Sequence, residues 1–128
     1  MLYAILCYHD EAVVNSWSKQ EDDAVLAKRA RVTNKLAATG RLGPVARLMP
    51  TTAATTVRSG REALVIDGPF AETKEQLLGF YLVDCATLDE AIEVARDLGR
   101  EETGSFEVRP LRLFKAAGDD FKPGSART

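Results

Sequence analysis

The chain has 128 residues, 17 of them Lys or Arg against 19 Asp or Glu, a single His, and a formal charge of −2 at neutral pH. One domain of this size buries roughly two thirds of the surface that its unfolded chain exposes, and 45% apolar with 28% charged residues is the balance of a soluble globular protein. With no basic excess, a nucleic-acid surface or an anchor on anionic lipid has no electrostatic support, and no apolar run approaches the roughly 18 residues of a membrane span.

Met1 to Glu11 turns acidic without a basic start, so it does not read as a signal peptide. Cys7 and Cys85 lack CxxC spacing and form no disulfide framework, which points to a reducing cytoplasm. One His and two distant Cys fall short of the usual zinc ligands. No Walker loop, dinucleotide fingerprint, GxSxG elbow or metal cluster occurs, so no cofactor is expected.

In chain order, Leu2 to Tyr8 is an apolar run that predicts a strand, ended by His9-Asp10-Glu11. Ser18-Lys19-Gln20-Glu21 has the pattern of a capping box, in which the Ser hydroxyl and the Glu carboxylate satisfy the first free amides of a helix. Val25, Val32 and Leu36 then recur at helical spacing, and Gly40 is placed to end the helix. Val45 to Met49 is a weak strand stopped by Pro50. Thr55 to Arg58, Ser59-Gly60, and Arg61 to Ile66 read as a hairpin, which Asp67-Gly68-Pro69 breaks. After a charged stretch, Leu77 to Cys85 is a second strongly apolar strand. Thr87-Leu88-Asp89-Glu90 suggests another capping box, opening a helix with Leu88, Ala91, Ile92, Ala95 and Leu98 on one face and Gly99 at its end. Ser105 to Phe114 is a last strand, with Pro110 suggesting a sheet edge. Residues 115–128 form a polar tail, leaving one domain over 1–114.

This order is α+β, a ferredoxin-like β-α-β-β-α-β plan with an extra hairpin strand. Two helices cover only one face of such a sheet. Yet Leu2 to Tyr8, Ala63 to Ile66 and Phe80 to Val83 are apolar at both parities, whereas a sheet wetted on one face alternates. A second copy of the same sheet is the simplest cover, so a homodimer through the open sheet face is expected.

The segment Asp67-Gly68-Pro69-Phe70-Ala71-Glu72-Thr73-Lys74-Glu75-Gln76-Leu77-Leu78-Gly79-Phe80-Tyr81 resembles the signature of the DGPF subgroup of YCII-related proteins. Ala54 to Arg58 before it, Leu88 to Ala91 after it and Glu107 to Pro110 near the end match the same pattern, over about residues 1–114. The resemblance implies a ferredoxin-like fold, pairing into dimeric α/β barrels, and acid–base chemistry by a His–Asp pair. A distant relative in the wider family is a dehydrochlorinase acting on a chlorinated hydroxyhydroquinone, and genes of the subgroup often lie beside those of extracytoplasmic-function sigma factors. Two departures stand out: Leu78-Gly79 where Gly-Gly is common, implying a less close backbone approach, and Gly43-Pro44-Val45 where an acidic residue is frequent.

The catalytic candidates are His9 and Asp67. His9 is the only side chain here that titrates near neutrality unaided, and as an alternative it is a surface residue of an acidic loop. Asp67, at a strand end on a tight turn, either orients the imidazole or caps its turn by bonding the following amides. The substrate-binding candidates are Arg29, Lys74 and Tyr81. Arg29 falls in the middle of the apolar stripe of its helix, so it needs a partner such as Asp67, Asp10 or a bound acid, unless its head snorkels to water. Lys74, between Glu72 and Glu75, fits an anion, an ion pair or a solvated charge run. Tyr81 offers a hydroxyl to a pocket or simply packs. Cys7 and Cys85 fall in apolar strands and read as buried, unreactive thiols. Three functional readings follow: a cofactor-free, lyase- or dehydrochlorinase-like acid–base enzyme on a small aromatic or acidic molecule, a small-molecule-binding or regulatory module tied to a sigma-factor system, or a structural dimer without ligand.

Overall fold

The order of elements in the computed structural model is β1 (Leu2–His9), α1 (Glu11–Asn15), α2 (Lys19–Ala38), β2 (Leu42–Arg47), a 3-10 turn (Thr51–Ala53), β3 (Thr55–Arg58), β4 (Leu64–Asp67), β5 (Gln76–Asp84), α3 (Leu88–Leu98) and β6 (Ser105–Pro110). The structure describes residues 1–60 and 64–118. Arg61 to Ala63 of the expected hairpin, and most of the expected tail, lie outside the described residues.

Four strands form one antiparallel sheet in the order β2-β5-β1-β6. With the β3–β4 hairpin set aside, this interleaved order and the two long helices are compatible with a ferredoxin-like fold. Alternation along the strands sends Tyr3, Ile5 and Cys7 of β1 and Tyr81 and Val83 of β5 to one face. There they pack with Leu36 of α2 and Ala91, Val94, Ala95 and Leu98 of α3 as the core. The other face carries Leu2, Leu6, Phe80 and Leu82, all half-buried, with Leu6 opposite Phe80 and Ala4 opposite Leu82 in the ladder. No helix of the described residues is long and apolar enough to cross a membrane.

The hairpin forms a separate two-stranded sheet, running from Thr55 opposite Asp67 to Arg58 opposite Leu64. Every residue of β4 is exposed, and Val65 keeps 70% of its surface in solvent. A lone two-stranded ribbon is marginal in water. The apolar run that sequence reading takes for a covered strand therefore has no cover among the described residues.

Several local expectations need correction. The helix α1 is unexpected. Asp10, read as a strand breaker, caps it by accepting a bond from the Ala12 amide at 2.9 Å. The capping box at Ser18 and Glu21 forms as its pattern dictates. At α3 only half a box forms. Thr87 caps the Glu90 amide, while the Glu90 carboxylate turns back to the Ala86 amide and to Arg41. Leu88 is exposed and Val94 takes a place in the core instead. β2 begins at Leu42, three residues earlier than expected, because a bulge at Gly43-Pro44 keeps the ladder to β5 intact. β6 ends at Pro110, at the sheet edge, where a missing amide is tolerated.

Candidate functional site

The site begins at an irregularity in the central ladder. Cys7 pairs with Gly79 but Tyr8 with Leu77, so Leu78 is the extra residue of a bulge on β5. The shift carries the end of β1 onward, and His9 comes to lie opposite Gln76, buried, at 8% exposure. It is not a loop residue. Its Nε2 lies 2.7 Å from the Thr103 hydroxyl, and its Nδ1 is buried with no hydrogen-bond partner among the described residues. Gly104 backs the ring with φ +95°, and a Cβ there would stand 2.9 Å from His9 Cδ2 and 2.6 Å from the Tyr8 carbonyl oxygen. Only glycine fits that spot.

Beyond His9 the chain is pinned from two sides. The Glu11 amide donates to the Gln76 side chain at 2.9 Å, and the Glu11 carboxylate accepts from the Thr51 amide at 3.0 Å. The turn after α1 then brings Trp17 edge-on to the imidazole, with ring centroids 6.0 Å apart and planes at 88°.

Arg29 points inward from α2, as its place in the stripe dictates. Its partner is Glu102, which accepts from the guanidinium at 2.5 and 3.2 Å and from Lys28 at 2.5 Å. The carboxylate keeps only 4% of its side-chain surface exposed. The guanidinium also stands 5.4 Å from the Phe106 ring centroid and has Nη1 3.5 Å from the Tyr81 hydroxyl. Burial pushes the Glu102 carboxyl up, but the bonds from Arg29 and Lys28 outweigh it and hold the group below its ordinary value. For Arg29, burial disfavours the charge and the Glu102 bonds restore it, so the guanidinium is held firmly protonated. Burial raises the Tyr81 hydroxyl against the opposing pull of Arg29, which keeps it a neutral donor. Burial likewise lifts the Cys7 thiol to about 11, as its apolar strand suggests.

These groups surround a cavity of about 140 Å³, walled by Cys7, His9, Trp17, Arg29, Leu78, Tyr81, Thr103 and Phe106 among others. An apolar cavity of ~150 Å³ holds a benzene molecule, so one ring is the size this site takes. Arg29 brings a cation to this lining with its charge met by Glu102, and Asp22 and Arg47, paired with each other, line it as well.

Of the five predicted site residues, the structure brings three together here: His9, Arg29 and Tyr81. Asp67 ends β4, exposed in the hairpin, and Lys74 is exposed before β5; neither lines the cavity. The group on His9 is thus Thr103, and the group on Arg29 is Glu102 rather than Asp67 or Asp10. The Gly68 amide, the first that Asp67 would cap, bonds the Ala54 carbonyl at 2.7 Å instead. Glu75 accepts a bond from the Ser105 hydroxyl at 2.9 Å, while Lys74 has no ion pair among the described residues. Sequence reasoning missed Trp17, Glu102 and Thr103, because none carries a local signal toward β1 or α2. The bulge retains one close approach: a Cβ on Gly79 would run into the Ala46 carbonyl oxygen, so Leu78 has not loosened the backbone there.

A YCII-related domain matches residues 1–115. The chain is also 62% identical, over 118 residues, to an uncharacterised protein of Rhizobium meliloti (strain 1021), covering 90% of this chain and 95% of that protein. A match over nearly the whole chain, joined to one so similar a relative, settles kinship: the chain belongs to the YCII-related family.

Proposed function

We propose that the chain is a cofactor-free acid–base enzyme acting on a one-ring molecule that carries an acidic hydroxyl or a carboxylate. The observation that supports this most is the unpartnered Nδ1 of His9, a buried titratable group in the wall of a cavity of one-ring size. A buried polar atom without a partner is rare and costly, and a ligand hydroxyl is a partner of the right kind. In this reading His9 moves the proton, while Thr103 holds Nε2 and so sets which nitrogen faces the ligand. Arg29 supplies positive potential to the anion that forms, and Tyr81 donates its O–H. Nδ1 is sealed from solvent, so binding requires a neighbouring side chain to shift.

The same reading places the chain in the DGPF subgroup and in a homodimer. The apolar open face of the sheet and the uncovered hairpin support a pairing of two copies. Asp67 and Lys74 join the chemistry only if a second copy brings them to a cavity, since within one chain they stand outside it. A purely ligand-binding or regulatory module is the competing use of the same cavity.

The test is a panel of phenols, chlorinated hydroquinones and small aromatic acids, screened by thermal shift and then by product analysis on wild type and His9→Ala. A ligand at a hundred times its Kd stabilises the fold by about 2.7 kcal/mol, which is easily read. Turnover lost in His9→Ala supports the enzyme. A thermal shift with no turnover favours the binding module, and no shift across the panel removes both.

A further inference from the structure

On the side of α2 that faces α3, away from the candidate site, lies a groove of about 770 Å³. Lys28, Arg31 and Lys35 recur along α2 at spacings of three and four, so they form one row, and Arg41 and Arg100 complete a basic rim. Among the described residues, Asp97 is the single acidic one lining it. Three of the cations are engaged: Lys28 with Glu102, Arg41 with Glu90 and Arg100 with Asp97. Arg31 and Lys35 are exposed, one turn apart, and neither has a carboxylate partner among the described residues. The floor between them is apolar, made by Leu36 and Val94 with half-buried Val32 beside them.

This basic concentration is at odds with a chain whose net charge is −2. Like charges stacked on one helix face repel each other, and no carboxylate among the described residues pairs with either. The row from Lys28 to Lys35 runs along about 10 Å of helix, which is two turns. An apolar floor flanked by two cations with no carboxylate partner among the described residues matches one kind of object well: an amphipathic helix with leucine-like residues on one face and carboxylates along its edges. A nucleic-acid strand fits less well, because no aromatic side chain among the described residues lines the groove for a base to stack on. A second copy docked groove to groove would set Arg31 and Lys35 against their own kind.

We propose that the α2–α3 groove is a docking site for an acidic amphipathic helix of a partner protein. Its charge and its apolar floor are both required: the cations steer and orient the helix, and the floor takes its apolar edge.

The test is fluorescence anisotropy with a labelled designed peptide of about 12 residues, with Leu at helical spacing and Glu on the flanks. Controls are a peptide of the same composition with its Leu positions scrambled, and a single-stranded oligonucleotide of similar length. Binding by the designed peptide, weakened about tenfold or more both by Arg31→Glu with Lys35→Glu and by high salt, is the expected result. The scrambled peptide is expected to bind at least about tenfold more weakly, and His9→Ala to bind like wild type. The double variant alters two exposed side chains, and an unchanged melting temperature will show that it folds. The proposal is overturned if the designed peptide does not bind, if the scrambled peptide binds equally, if the double variant binds equally, or if the oligonucleotide binds more tightly through the same two residues.

Discussion

Arg29 and Glu102, far apart in the sequence, meet in a two-point ion pair at 2.5 and 3.2 Å that ties α2 to the loop before β6. Lys28 shares the same carboxylate. Removing that carboxylate leaves two neighbouring cations, each with about a fifth of its side chain exposed, without their anion. Breaking a fully buried pair costs ~3–5 kcal/mol, and partial exposure of the cations lowers this to about 2–3 kcal/mol for Glu102→Gln. Because the folded state holds the Glu102 carboxyl below its ordinary 4.5, the pair's contribution is fully present above pH 4.5 and is lost as pH falls through the lowered folded value. Urea unfolding of wild type is therefore expected to weaken below pH 4.5, with a shallower acid slope in Glu102→Gln. Equal slopes in the two proteins would remove the linkage.

Thr103→Val keeps the shape of the side chain and deletes the one hydrogen-bond partner that the His9 ring has among the described residues. The loss is expected to be about 1 kcal/mol, since Thr103 stands partly in solvent and water can replace its hydroxyl. Thr103→Ser, which keeps the hydroxyl, is expected to restore both stability and any turnover found. The imidazole nitrogen shifts by NMR provide the separate check. A single preferred tautomer in wild type is expected to become a mixture in Thr103→Val and to return in Thr103→Ser.

What the sequence made legible was local. The apolar runs of β1 and β5, the Ser18 capping box and the inward place of Arg29 each follow from spacing over a turn or two, and all are found where spacing puts them. Helix α1 escaped notice because five residues carry too little periodicity, although Asp10 before Glu11 is an ordinary cap. The partners of the site were not legible for a different reason. Glu102 and Thr103 lie more than 70 residues from the groups they bind, and no periodicity reaches that far. Asp67 drew attention by standing on a sharp turn, a local signal that says nothing about which cavity the turn faces.

Gly79→Ala is expected to destabilise by about 1–3 kcal/mol, toward the upper end, because the added methyl meets backbone and not a movable side chain. The Ala46 carbonyl oxygen and Arg47 Cα, the latter 3.2 Å from the new carbon, both belong to the neighbouring strand β2. The damage should fall on the β2–β5 ladder first. Amide exchange along Val45 to Arg47 should speed up more than exchange in β6. Uniform loss of protection across the sheet would contradict that localisation.

Both thiols should be silent in the folded protein. Cys7 is 3% exposed and Cys85 1%. With its pKa at about 11, Cys7 is ionised to roughly one part in a thousand at pH 8, and the thiolate is the reactive form. A colorimetric thiol assay is expected to find none reacting in buffer and both in strong denaturant, as neither is in a disulfide. Fast labelling of Cys7 without denaturant would mean that the cavity opens far enough to admit the reagent.

The hairpin sets the last expectation. Val65 and Leu64 expose 70% and 52% of their surfaces on a two-stranded ribbon that is too small to be stable alone in water. If a second copy covers it, wild type sediments as a dimer at micromolar concentration, and Val65→Asp, which places a charge in that contact, shifts it to monomer. Because Val65 is exposed within one chain, the monomer should keep its fold, so circular dichroism should not change while sedimentation does. Leu6→Asp applies the same test to the open face, where Leu6 sits opposite Phe80. An unpaired charge buried between two sheets costs several kcal/mol, enough to abolish a micromolar dimer. If Val65→Asp dissociates the dimer and Leu6→Asp leaves it intact, the hairpin holds the two copies together and the sheet faces do not meet. If wild type is itself a monomer, the pairing is wrong, and the exposed hairpin needs another partner.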